Sequence, residues 1–95
     1  MSLLFHADVF WTGSVVKTLR ADAEISREDM FVAFIRHING DWGELDEFDW
    51  KTNDDALEYG DRIVSQYRDV HGTVFLIITE RDRSVTRILL PEDTW

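Results

Sequence analysis

Three residues of this chain could do acid–base or metal chemistry together: His37, Asp41 and Glu44. An imidazole beside two carboxylates can seat a divalent ion or act as a general-base pair, as a small hydrolase or nuclease would need. The surrounding pattern argues the other way. No HxH or HxxxH spacing exists, His6 and His71 stand isolated, and a histidine in the last turn of a helix is favoured by the helix dipole alone. Asp46-Glu47-x-Asp49 suggests calcium, but a loop started at Asp41 or at Asp49 places no glycine at its sixth position, which the calcium loop requires. Neither GxxxxGK[ST] nor GxGxxG occurs, and Ser14, Ser26, Ser65 and Ser84 lack a GxSxG setting. Arg81 and Arg83 could hold an anion, yet Glu80 and Asp82 alternate with them, the pattern of a self-compensating hairpin tip. The chain has no cysteine, which excludes thiol catalysis, disulfides and thiolate metal sites. No cofactor or metal is expected.

The strongest signal is a charge run. Asp41–Asp61 holds nine carboxylates against Lys51 alone, which is −8 of the chain's formal −9. The same span carries Trp42, Phe48, Trp50 and Tyr59. Carboxylates interleaved with large aromatics make a candidate partner surface: Asp41, Trp42, Glu44, Asp46, Glu47, Phe48, Trp50, Asp54, Asp55 and Glu58. Its sign selects the partner. Net negative charge opposes nucleic acid and anionic membrane, so a basic protein is the natural counterpart.

Ninety-five residues fit one domain spanning 1–95, with a single core. The chain is 44% hydrophobic and 13% aromatic, too apolar for disorder. Its longest apolar run, Val74–Ile78, is far below the roughly 20 residues of a membrane span. The N-terminus lacks the features of a secretory signal. With no cysteine, a reducing cytoplasm is the expected setting.

These side chains need elements to position them. Residues 3–12 are apolar without a clear period, an edge strand or a docking arm. Ser14–Leu19 reads as a strand and Asp22–Ile25 as a connector. Ser26 caps a helix with Glu28 and Asp29 in its first turn and Arg36 and His37 in its last. Its apolar face is expected at Phe31, Phe34, Ile35 and Ile38, and Asn39-Gly40 stops it. After a loop over Asp41–Glu47, a second helix runs from about Leu45 or Asp49 to Tyr59, with Asn53, Ala56 and Leu57 inward and Gly60 as cap. Three strands follow at Arg62–Arg68, Thr73–Thr79 and Ser84–Leu90, with Pro91 as terminator. The expected architecture is α+β in two layers: an antiparallel sheet of three to four strands, built on a C-terminal β-meander, with two helices packed on one face.

The string H-x-x-G-D-W-G at His37–Gly43, then Asp49, Asn53, Ala56-Leu57, Gly60, Arg62, Ser65-x-Tyr67 and I-I-T-E-x-D-R-S-x-T-x-I-L-L-P at Ile77–Pro91 resembles a family of small bacterial proteins. Its members are labelled plasmid-related or of unknown function, and some carry a restriction–modification label. The resemblance covers about Ser14 to Glu92 and implies a mobile-element setting without supplying chemistry. A restriction methyltransferase needs a cofactor-binding sheet that 95 residues cannot build.

The leading expectation is a non-enzymatic acidic interaction protein that binds a basic partner through 41–61, in one form as a nucleic-acid mimic. A divalent-metal hydrolase on His37, Asp41 and Glu44 is the enzymatic alternative. A homo-oligomer joined through the open sheet face or through strand 84–90 is the structural one.

Overall fold

A computed structural model of the chain describes residues 10–93. The expected edge strand or arm at residues 3–12 therefore lies mostly outside the described residues. The elements run β1 (Ser14–Lys17), α1 (Leu19–Glu24), α2 (Arg27–Ile38), α3 (Glu47–Tyr59), β2 (Ile63–Arg68), β3 (Val74–Thr79) and β4 (Val85–Leu89). They form an α+β fold around an open four-stranded sheet in the order β1-β4-β3-β2.

The C-terminal meander is present, with β2 antiparallel to β3 and β3 antiparallel to β4. Three features correct the sequence-based expectation. First, β1 pairs with β4 in parallel, so the sheet is mixed; side-chain alternation is blind to strand direction. Second, the strand 84–90 is not an edge, because β4 lies between β1 and β3. Third, there are three helices among the described residues. The strand expected to reach Leu19 ends at Lys17, and the chain turns directly into α1. Thr18 caps α1, accepting from the Ala21 amide at 3.1 Å while donating to Asp93 Oδ2 at 2.6 Å. The run Val15–Thr18, β-branched except at Lys17, hides this cap, since Thr serves both strands and N-caps.

The core joins the helices to alternate strand residues. Ala21, Met30 and Ala33 meet Tyr67, Phe75, Ile77 and Ile88 in one cluster. Trp42, Ala56 and Ile63 form a second, flanked by Phe10, Leu45, Trp50 and Leu57. Helix α2 keeps the foreseen cap, Ser26 accepting from the Asp29 amide, and part of the foreseen face, with Ile38 buried and Phe34 packed on the core. Met30, Ala33, His37 and Ile38 are its buried residues, whereas Phe31 is 58% exposed. Small Ala33 lets the helix axis approach the sheet closely, and His37 faces inward because the sheet supplies polar partners there. In α3, Asn53 and Ala56 are buried as the spacing predicts, and Gly60 ends the helix in the left-handed conformation at φ 74°.

Candidate functional site

The residues with chemical potential do meet, but inside the protein. His37 is fully buried. Its Nδ1 lies 2.6 Å from Ser65 Oγ on β2 and its Nε2 lies 2.9 Å from Thr79 Oγ1 on β3. Thr79 Oγ1 is 2.7 Å from Thr86 Oγ1 on β4, and the Thr86 hydroxyl donates to the Thr12 carbonyl at 2.8 Å. This chain of hydrogen bonds has one consistent proton order. Thr86 has given its hydrogen to Thr12, so Thr79 must donate to Thr86; Thr79 then accepts from Nε2–H, and Nδ1 accepts from the Ser65 hydroxyl. The network thus holds His37 as the neutral Nε2–H tautomer. Burial, reinforced by the charge of Arg83, pulls the imidazole from its ordinary 6.5 down to about 3. Phe10 and Trp42 close over the ring edge-to-face, with centroids at 5.2 and 5.8 Å.

A serine 2.6 Å from an imidazole has the spacing of a nucleophile and its base. Here both groups have no exposed surface, so no substrate reaches them. The arrangement can tie three strands to α2, and that is its chemistry.

Asp41 and Glu44 point elsewhere. Arg36 Nε and Nη2 hold the two Asp41 oxygens at 2.7 and 3.1 Å. That pairing, helped by the Gly43 amide, keeps the Asp41 carboxyl below its usual range. Glu44 binds Arg68 at 2.7 Å. Both carboxylates are thus engaged by arginines, away from the two partners of His37. Among the described residues no group of three or more His, Asp or Glu is placed to hold a metal.

The segment His37–Glu44 works as a clasp on the outer edge of β2. The Trp42 carbonyl accepts from the Gln66 amide at 3.2 Å, and the Glu44 amide donates to the Gln66 carbonyl at 2.7 Å. The Tyr67 hydroxyl donates to the Asp41 carbonyl. Gly43, at φ 77°, lies so close that a Cβ there would sit 2.0 Å from the Gln66 carbonyl oxygen; only glycine fits. Further along, on α3, the Asn53 side chain donates to the Val64 carbonyl at 2.6 Å and accepts from the Val64 amide at 3.1 Å. Asn53 thereby imitates a neighbouring strand.

Most of the acidic run is also structural. Asp46 caps α3 by accepting from the Asp49 amide. Asp54 accepts from the Trp42 indole N–H at 3.0 Å. Asp55 pairs with Lys51 and Asp61 with Arg81. Trp42 is fully buried and Trp50 half-buried, so Trp42 is removed from the candidate partner surface. Four of the run's exposed carboxylates, Asp54 and Asp55 included, share one face of α3. At about 100° per residue, Glu47, Asp54, Asp55 and Glu58, all exposed, fall within roughly a third of the helix circumference, with the exposed Lys51 among them. Phe48 and Tyr59 lie directly beside them and are 78% and 72% exposed. They stand three turns apart, roughly 16 Å along the axis.

The polar turn after β3 is likewise consumed. Arg83 donates to the carbonyls of Asp61, Glu80 and Ala56, closing the C-terminal end of α3, and its guanidinium lies over the Phe10 ring. Arg81 is held by Asp61.

The sequence pattern points to His37, Asp41 and Glu44 but not to Ser65, Thr79 and Thr86 as the histidine's partners. A signal for them exists: each sits on the inward strand parity as a lone hydroxyl among Ile, Phe and Tyr. Tyr59 belongs to the acidic run but not to the sequence-based partner surface, and the structure adds it there. Comparison of the chain with protein-family models, with curated proteins and with solved structures finds no match.

Proposed function

We propose that this chain is a non-enzymatic interaction protein whose outer α3 face docks a basic protein partner. The observation that carries this reading is the pair of exposed aromatics, Phe48 and Tyr59, set along the carboxylates Glu47, Asp54, Asp55 and Glu58. Large aromatics left in water at one face, rimmed by four carboxylates against the single cation Lys51, are the composition of an interface with hot-spot anchors and electrostatic steering. The half-buried Trp50 and the cap Asp46 border the face rather than form it. The nucleic-acid-mimic form receives less support, because Asp41, Glu44, Asp55 and Asp61 each already face a cation. A mobile-element setting and a cytoplasmic location rest on the family resemblance and on the absence of cysteine.

The test is affinity capture from the source organism with the wild-type chain and with Phe48→Ala/Tyr59→Ala. A captured basic protein, lost in the double variant and weakened by salt on the order of 0.5 M, is expected. A partner retained equally by both proteins would overturn the assignment of this face.

A further inference from the structure

The two edges of the sheet are treated differently. At β2, Asn53 engages Val64 and the Trp42–Glu44 segment engages Gln66, so the edge is covered. At β1, among the described residues, no strand lies on the outer side. The Ser14 and Thr18 amides bond inward to Ser84 and Ile88 of the β4 side. By the period of two, Val15 and Lys17 turn their amides and carbonyls outward. All four residues of β1 are exposed. Beside them runs a groove of about 440 Å³ between β1 and α2, lined by Val15, Met30, Phe31, Phe34 and Ile88, with Lys17 and Arg27 at its rim. Leu19, just past the end of β1, is exposed as well. A β-branched edge strand with an apolar surround is a template for another strand.

We infer that the occupant of this edge is a second copy of the chain, with β1 pairing antiparallel to its partner's β1 about Val16. In that register Val15 of one protomer exchanges both backbone hydrogen bonds with Lys17 of the other, and the reverse, as a two-fold interface requires. Val15 and Lys17 pair with Thr86 and Ile88, which face the helices, so the two grooves merge into one trough floored by β1 and walled by Phe31 and Phe34 of each copy. A stable interface needs roughly 800 Å² per partner, more than four strand residues supply, so Phe31 and Phe34 along the trough must be part of the contact.

Charge distribution selects a second copy. The acidic α3 packs at the β2 end of the sheet, the end opposite β1. Self-pairing through β1 separates the two acidic faces by the width of both sheets, about 34 Å at roughly 4.8 Å per strand spacing, several times the screening length of about 8 Å. Near β1 the charges are already compensated, Lys17 by Asp22 and Arg20 by Glu92 and Asp93. Two chains of net −9 that meet at this edge keep their acidic faces apart.

Light scattering on the full chain across concentration, with amide hydrogen exchange, tests this. Wild type is expected to reach twice the 11.2 kDa chain mass, with the Val15 and Lys17 amides protected as the dimer forms. Phe31→Glu and, separately, Val15→Lys should each raise the dissociation constant at least tenfold; Phe31 and Val15 are surface residues, so both variants keep the fold. Phe48→Ala/Tyr59→Ala should dimerise like wild type, which separates this result from the docking of a basic partner. A wild-type chain that stays monomeric at millimolar concentration would overturn the inference. So would a dimer that survives both edge substitutions, or one in which Val15 and Lys17 exchange freely.

Discussion

Lowering the pH from 7 to 5 should destabilise this protein through a single side chain. His37 is neutral in the fold down to about pH 3 but takes a proton in the unfolded chain near 6.5. Between those values the unfolded state binds the extra proton, so stability is complete above pH 6.5 and falls as the pH drops toward 3. The slope inside that window is about 1.36 kcal/mol for each step of one in pH, so the loss between pH 7 and pH 5 is about 2 kcal/mol. A domain of this size has on the order of 5–14 kcal/mol in total. Asp22, Asp41, Asp82 and Asp93 have carboxyls held below 3.8; stability from such groups is lost only at lower pH, so the window isolates the imidazole. Urea titration followed by tryptophan fluorescence suits the measurement, because the Trp42 indole lies against the His37 ring. With a slope of about 1.3 kcal/mol per molar, the urea midpoint should fall by roughly 1.5 M. His37→Gln should start lower at pH 7 and show no such slope between pH 7 and 5. Equal stability of the wild type at both values, or the same slope in His37→Gln, would refute the buried neutral imidazole.

Other consequences of the geometry can be measured separately. Nitrogen-15 NMR of the imidazole should report the Nε2–H tautomer unchanged from pH 7 to pH 5. Asn53→Ala strands the Val64 amide and carbonyl and should cost about 2–4 kcal/mol by denaturant unfolding, against about 1 for an ordinary hydrogen bond. Gly43→Ala drives a methyl into the Gln66 carbonyl and should lower stability by more than about 2 kcal/mol, with the loss of Gln66 amide protection as its mark. Phe48→Ala and Tyr59→Ala, in contrast, should stay within about 0.5 kcal/mol of wild type, as exposed positions do.

The elements legible in the sequence are those whose signals are local. Ser26, Asn53 and Gly60 announce a cap, an inward amide and a stop, and each acts so. Strand direction is illegible because β1 alternates identically in parallel and antiparallel pairing. The inward place of His37 on α2 is hidden because counting apolar residues favours Phe31 over it, and only the hydroxyls of Ser65 and Thr79, distant in sequence, make a histidine welcome inside. Charge tells less than its density suggests. Carboxylates that read as one surface divide into caps, clasps and ion pairs, and four of them gather on the outer strip of α3. The HxxGDWG and IITExDRSxTxILLP strings mark that scaffold: His37, Gly43, Thr79, Arg83 and Thr86 all act within it.

Site-specific photo-crosslinking on α3 addresses the docking surface most directly. Thr52 is exposed between Phe48 and Tyr59 on the outer face, while Val70 is exposed on the loop after β2. A photoreactive residue at 52 should yield an adduct with a basic protein, absent when the same residue is placed at 70. Equal labelling from both positions, or no adduct from 52, would contradict α3 as the docking face.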